Sequence, residues 1–151
     1  MLPQIVAGIT SDRSEQQKLI QVLGGAIDQF ETAQRAKGAE YDLASAMSFF
    51  ASVSIYLQDT RTEINSKGGD ALTNALREAL GPKAASISNG DKQQFYEALL
   101  TYGMLFAVLA PDADAATLSQ LKQTSAELSQ TIIGLDVTKY RFVADGLVSV
   151  K

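Results

Sequence analysis

Sixteen consecutive residues, Leu43 to Gln58 (LASAMSFFASVSIYLQ), carry no charge and lie between Asp42 and Asp59. Such a stretch must leave water, either into a bilayer or into a protein interior. A spanning helix needs about 20 predominantly apolar residues, and this run is sixteen long with four serines. Its flanks are acidic, whereas a membrane segment is anchored by basic residues. At 100° per residue, Leu43, Ala46, Met47, Phe49, Phe50, Val53, Tyr56 and Leu57 fill about half of a helix circumference. Ser45, Ser48 and Ser52 take a narrow opposite sector. The segment is therefore read as a helix at the centre of a bundle, with no transmembrane segment in the chain.

A second uncharged run, ALLTYGMLFAVLAP from Ala98 to Pro111, belongs to a helix over about 91 to 110 that is apolar nearly all round. Gly103, Ala107 and Ala110 form a small-residue sector on it, which predicts a close helix contact. Amphipathic helices surround this pair. Asp12 and Glu15 stand at capping-box spacing before a stripe of Leu19, Leu23, Ala26, Phe30 and Ala33, so a helix runs from about 12 to 37 and ends at Gly38. Gly24 and Gly25 within it predict a kink or a close contact. NSKGGD reads as a loop, Asp70 as the cap of a short helix, and Gly81-Pro82 as its stop. KAASISNG reads as a second loop, with Asp91 and Gln94 opening the next helix. Asp112 or Asp114 caps the last helix, which keeps 3,4 spacing through Leu118, Leu121, Ser125, Leu128 and Ile132 until Gly134.

Both termini are β-prone. Asp145-Gly146 between short apolar runs is a hairpin signal for residues 138–151, and PQIVAGIT makes 1–11 an extended segment that could pair with it. The expected fold is all-α in the main: one domain, residues 1–151, built as a bundle of about five helices over 12–135. A small β-hairpin or strand pair joins the termini. At 151 residues one domain is the size expected.

The missing chemistry is the firmest functional statement. With no histidine and no cysteine the chain lacks a side chain poised near neutrality, a thiolate and the usual zinc and copper ligands. It has no phosphate loop, dinucleotide fingerprint or nucleophile elbow. Asp112 and Asp114 begin a calcium-loop spacing that Ala116 breaks, and they suit a helix N-terminus better. Ser119 and Lys122 match an S-x-x-K spacing without its companion motifs, and a solvated helix face explains them. Neither a metal, a cofactor nor a catalytic residue is assigned, and the chain is expected not to be an enzyme. Thirteen basic against seventeen acidic residues, with no basic cluster, argue against nucleic acid.

Aromatic residues concentrate on the two central helices. Phe49, Phe50, Tyr56, Phe95, Tyr102 and Phe106, with Tyr41 and Tyr96 beside them, form either a packed core or an apolar pocket with a few hydroxyls at its wall. The sequence leaves both readings open.

The succession YDLASAMSFFASVSIYL, ALREALG, DKQQFYEALLTYGMLFAVLA and GLDVTKYRFVADGLV, residues 40–148 taken together, resembles a bacterial family of exported, mainly helical proteins known only as a domain of unknown function. The distinctive part is E-A-L-L-x-x-G-M-L from Glu97 to Leu105. The resemblance implies a secreted protein whose Met1 replaces a cleaved leader, and it brings no site residues. The expected function is that of a non-enzymatic, exported interaction or structural domain. It would bind a protein partner or form a homo-oligomer through helix faces or an unpaired terminal strand. The alternative is a carrier of a small apolar ligand between the central helices.

Overall fold

The structure, a computed structural model, describes residues 1–150. Six helices precede a two-stranded hairpin: α1 Leu2–Ala7, α2 Arg13–Ala36, α3 Leu43–Gln58, α4 Ser66–Ser86, α5 Asn89–Leu109 and α6 Ala115–Ile133, then a 3-10 turn at Val137–Lys139, β1 Tyr140–Val143 and β2 Gly146–Ser149. The uncharged run is α3, to the residue. It is the hub: α4, α5, α6 and β1 all pack on it. Twelve of its sixteen residues are buried, the serine sector included. Ser48 Oγ donates to the Gly69 carbonyl at 3.0 Å and Ser54 Oγ to the Phe50 carbonyl at 2.8 Å. Serines suit this position because they are small and find backbone acceptors.

Capping sets most helix ends. Asp12 Oδ1 accepts from the Ser14 and Glu15 amides, Asp42 Oδ2 from Ser45, and Asp114 Oδ1 from Thr117 at 2.7 Å. Gly134 closes α6 at φ +70°, a left-handed conformation that glycine adopts without steric penalty. β1 and β2 pair antiparallel with Phe142 opposite Leu147, across the turn expected at Asp145-Gly146. Phe142 is buried against the bundle, while Arg141 and Val148 face outward.

Several expectations are corrected. The N-terminal segment is not extended and does not pair with the tail: residues 2–7 are helical and add a short sixth helix to the expected bundle of about five. Pro3 sits in the first turn, where its lacking N–H costs nothing, and Val6 is fully buried in a satellite core with Leu23, Met104 and Leu105. Packing at helical spacing overrides local β propensity here. α4 starts before Asp70, because Asn65 Oδ1 caps the Gly68 amide at 2.8 Å. Gly81-Pro82 does interrupt the helix as expected, since Gly81 leaves helical geometry (φ +15°, ψ −112°), but a further helical segment follows the break and runs to Ser86, inside the stretch expected to be a loop. α5 is opened by Ser88, whose Oγ accepts from the Asp91 amide at 3.1 Å. α2 runs unbroken through Gly24 and Gly25, and a β-carbon at either would meet nothing within 4 Å.

Candidate functional site

The expected aromatic set divides. Phe50 and Phe106 are core, with ring centroids 6.2 Å apart. Phe49, Tyr56 and Tyr102 are half-buried. Phe49 packs against Phe30 at 5.1 Å and Tyr102 against Phe106 at 6.4 Å. Phe95 is not core: it is 46% exposed, on the outer side of the first turns of α5, where it lines an apolar hollow. The small-residue contact exists at Gly103 alone, where a β-carbon would come within 2.7 Å of Phe49 Cε1 and 3.4 Å of Phe50 Cα. Ala107 is exposed and makes no such approach, while Ala110 is half-buried and packs against the core cluster. The wheel of α5 is apolar nearly all round, and periodicity alone could not say which apolar sector turns to α3. At Gly103 the space between the central helices is filled by an aromatic ring, which is a core and not a ligand cavity.

Hollows lie elsewhere. One, of about 170 Å³, opens at the end of the bundle between Leu43 and Met47 of α3, Leu80 of α4, Ile87, Phe95 of α5, and Ile132 and Ile133 of α6. Every wall residue is apolar. Leu80, just before the break at Gly81, and Ile87, in the link to α5, close one side of it.

The second locality is Tyr96, which is 2% exposed and whose hydroxyl has no hydrogen-bond partner. Burial, reinforced by Glu31 and then by Tyr41, Asp42 and Glu40, pushes its pKa up to about 12. The phenol therefore keeps its proton at neutral pH. Tyr96 is a wall of two hollows. One, of about 490 Å³, is lined by Tyr41, Asn89, Lys92 and Gln93 with Tyr96. The other, of about 280 Å³, includes Ile27, Glu31, Leu100 and Thr101. The Tyr41 ring meets Tyr96 edge-on at 5.8 Å and 69°. Tyr41 is 62% exposed and sits at φ +55°, the one non-glycine residue with positive φ among those described. The sequence held one signal for this cleft: residues 89, 92, 93 and 96 share a face at helical spacing.

Other candidates find ordinary roles. Asp114 caps α6, and the Thr117 backbone hydrogen bond holds its carboxyl below the usual 3.8. The Lys122 carbonyl accepts from Gln58 Nε2 at 3.3 Å and from Ser125 Oγ at 3.0 Å. Among the described residues no three acidic side chains gather as a metal site would require, and no helix is long and apolar enough to cross a membrane.

A model of a family of unknown function (DUF6683) matches residues 1–149. No curated protein and no solved structure matches the chain.

Proposed function

Since the chain belongs to the DUF6683 family, whose function is unknown, we propose that it is a non-enzymatic interaction domain that docks a protein partner at the end of its bundle. The observation that carries this reading is Phe95, 46% exposed at the rim of an apolar hollow of about 170 Å³. An exposed aromatic beside an apolar hollow of side-chain size is the composition of an interface hot spot. A partner's apolar side chain fills the hollow while Phe95 packs against its neighbour, so both lose water together. The lack of histidine and cysteine supports the non-enzymatic part. Export rests on the family resemblance alone and is tested by fractionating the native producer.

The partner that can be tested without further identification is a second copy. Sedimentation over a wide concentration range is expected to show reversible association that Phe95→Ser abolishes. Because the side chain is half in water already, that change should leave the melting temperature nearly unmoved. A wild-type protein that stays monomeric at every concentration and purifies without a partner counts against the reading. The carrier reading draws on the same hollow, whose volume limits the cargo to a few carbons, comparable with an engineered cavity of roughly 150 Å³ that admits benzene. Native mass spectrometry of gently purified protein tests it through a bound mass that denaturation releases.

A further inference from the structure

We propose that the cleft between Tyr41 and the first two turns of α5 binds an uncharged saccharide ring, with Tyr41 as a movable aromatic lid and the Tyr96 hydroxyl as a buried donor beneath it. This inference is independent of the docking surface, which lies at other residues.

Three observations converge. The first is the wall: Asn89, Lys92, Gln93 and Tyr96 occupy one face of α5 and line a hollow of about 490 Å³, within the roughly 300–1,000 Å³ usual for small-ligand sites. Two amides, an ammonium and a phenol supply both donors and acceptors, which a ring of hydroxyls can use. The second is the Tyr96 hydroxyl, enclosed and without a partner. A buried hydroxyl left unpaired costs free energy, so its retention needs a reason that packing alone does not give, since phenylalanine would pack the same space. The third is Tyr41, whose exposed ring lies edge-on over Tyr96. Its backbone occupies the left-handed region that bulky residues avoid, and such conformations cluster at ligand clamps.

These features suggest a sequence of events. Rotation of the Tyr41 side chain uncovers the Tyr96 hydroxyl, a sugar hydroxyl accepts its proton in a hydrogen bond, and the tyrosine ring returns to lie on the C–H face of the sugar. Aromatic rings offer such a flat apolar surface with a polar tip. Charge argues for a neutral ligand. Lys92 is in no ion pair among the described residues. The carboxylates of Glu31, Glu40 and Asp42 lie close enough to act on Tyr96, and they oppose an anion as Lys92 opposes a cation.

The test is titration of the full chain with glucose, galactose and lactose, followed by amide chemical shifts and by tyrosine fluorescence, which no tryptophan obscures. At least one sugar is expected to give saturable shifts at Tyr41, Asn89, Lys92 and Gln93. Tyr41→Ala should weaken binding about tenfold or more, which corresponds to one strong contact. Tyr96→Phe is the decisive variant. A purely structural tyrosine predicts unchanged sugar response with equal or higher thermal stability, whereas the proposal predicts weakened binding at that same stability. No saturable response to any of the three sugars, shifts confined to other residues, or wild-type binding by both variants overturns the proposal.

Discussion

Gly103 shows how a single hydrogen atom sets the spacing of two helices. A β-carbon there meets Phe49 Cε1 at 2.7 Å and Phe50 Cα at 3.4 Å, so Gly103→Ala must push an aromatic ring away. Overpacking of this kind costs about 1–3 kcal/mol, against a gain of up to ~1 kcal/mol from alanine's helix propensity. The net expectation is a loss of about 1–2 kcal/mol, read as a lower urea midpoint with unchanged slope. Gly24→Ala and Gly25→Ala are the counterpart, since nothing stands within 4 Å of either new methyl. Each should raise stability by up to ~1 kcal/mol. From the sequence a close helix contact is expected at Gly103 and is one of two readings for Gly24 and Gly25. Only the neighbour across the space separates the glycine that admits a ring from those that cost helix stability.

At the scale of elements, Asn65 ties the hairpin to the bundle. Its Oδ1 caps α4 at the Gly68 amide, while its Nδ2 donates to the Val143 carbonyl at 2.8 Å and reaches the Gly146 carbonyl at 3.4 Å. Gly68 lies directly under Phe142, whose ring would be 2.7 Å from a β-carbon there. One side chain thus starts a helix and seats two strands. Asn65→Ala should cost about 1–2 kcal/mol for the cap, and it also leaves hairpin carbonyls without their donor. Asp114→Ala, which loses a cap alone, should cost about 1 kcal/mol. Amide exchange tells them apart: Asn65→Ala speeds exchange in β1 and β2, and Asp114→Ala only in the first turn of α6. The helices with a side-chain cap and a clear stripe, α2 and α6, were legible in the sequence nearly to the residue. The start of α4 was not, because NSKGGD carries the composition of a loop and becomes helical where Asn65 and Phe142 hold it.

For the whole molecule, the absence of histidine leaves no side chain with an ordinary pKa between about pH 5 and 8, so thermal stability should be nearly flat across that range. The acid limb comes from aspartates. For Asp42, burial pushes the carboxyl up, but hydrogen bonds from Ser45 and Arg77 outweigh it and hold the group below its usual 3.8. Arg61 holds Asp59 at about 2. A carboxyl whose folded value is depressed stabilises the fold above its unfolded value and loses that contribution as pH falls through the folded one. Melting temperature should therefore begin to drop below about pH 4. In Asp42→Asn the drop should be shallower from a lower starting point, because the ion pair with Arg77 at 2.6 Å is already gone. A wild-type curve that falls between pH 5 and 7 would contradict this assignment. That Leu43 to Gln58 is a buried hub, that amphipathic helices surround it and that the chain turns back at Asp145-Gly146 can all be read from the residues in order. These follow from period, charge and turn chemistry, which are local. That residues 2–7 are helical, that Phe95 is half in water and that Tyr96 is buried with its ring edge-on to Tyr41 emerges only in the packed molecule. Each of those depends on which sector of a neighbouring helix arrives, and a helix that is apolar nearly all round does not encode that choice in its own spacing.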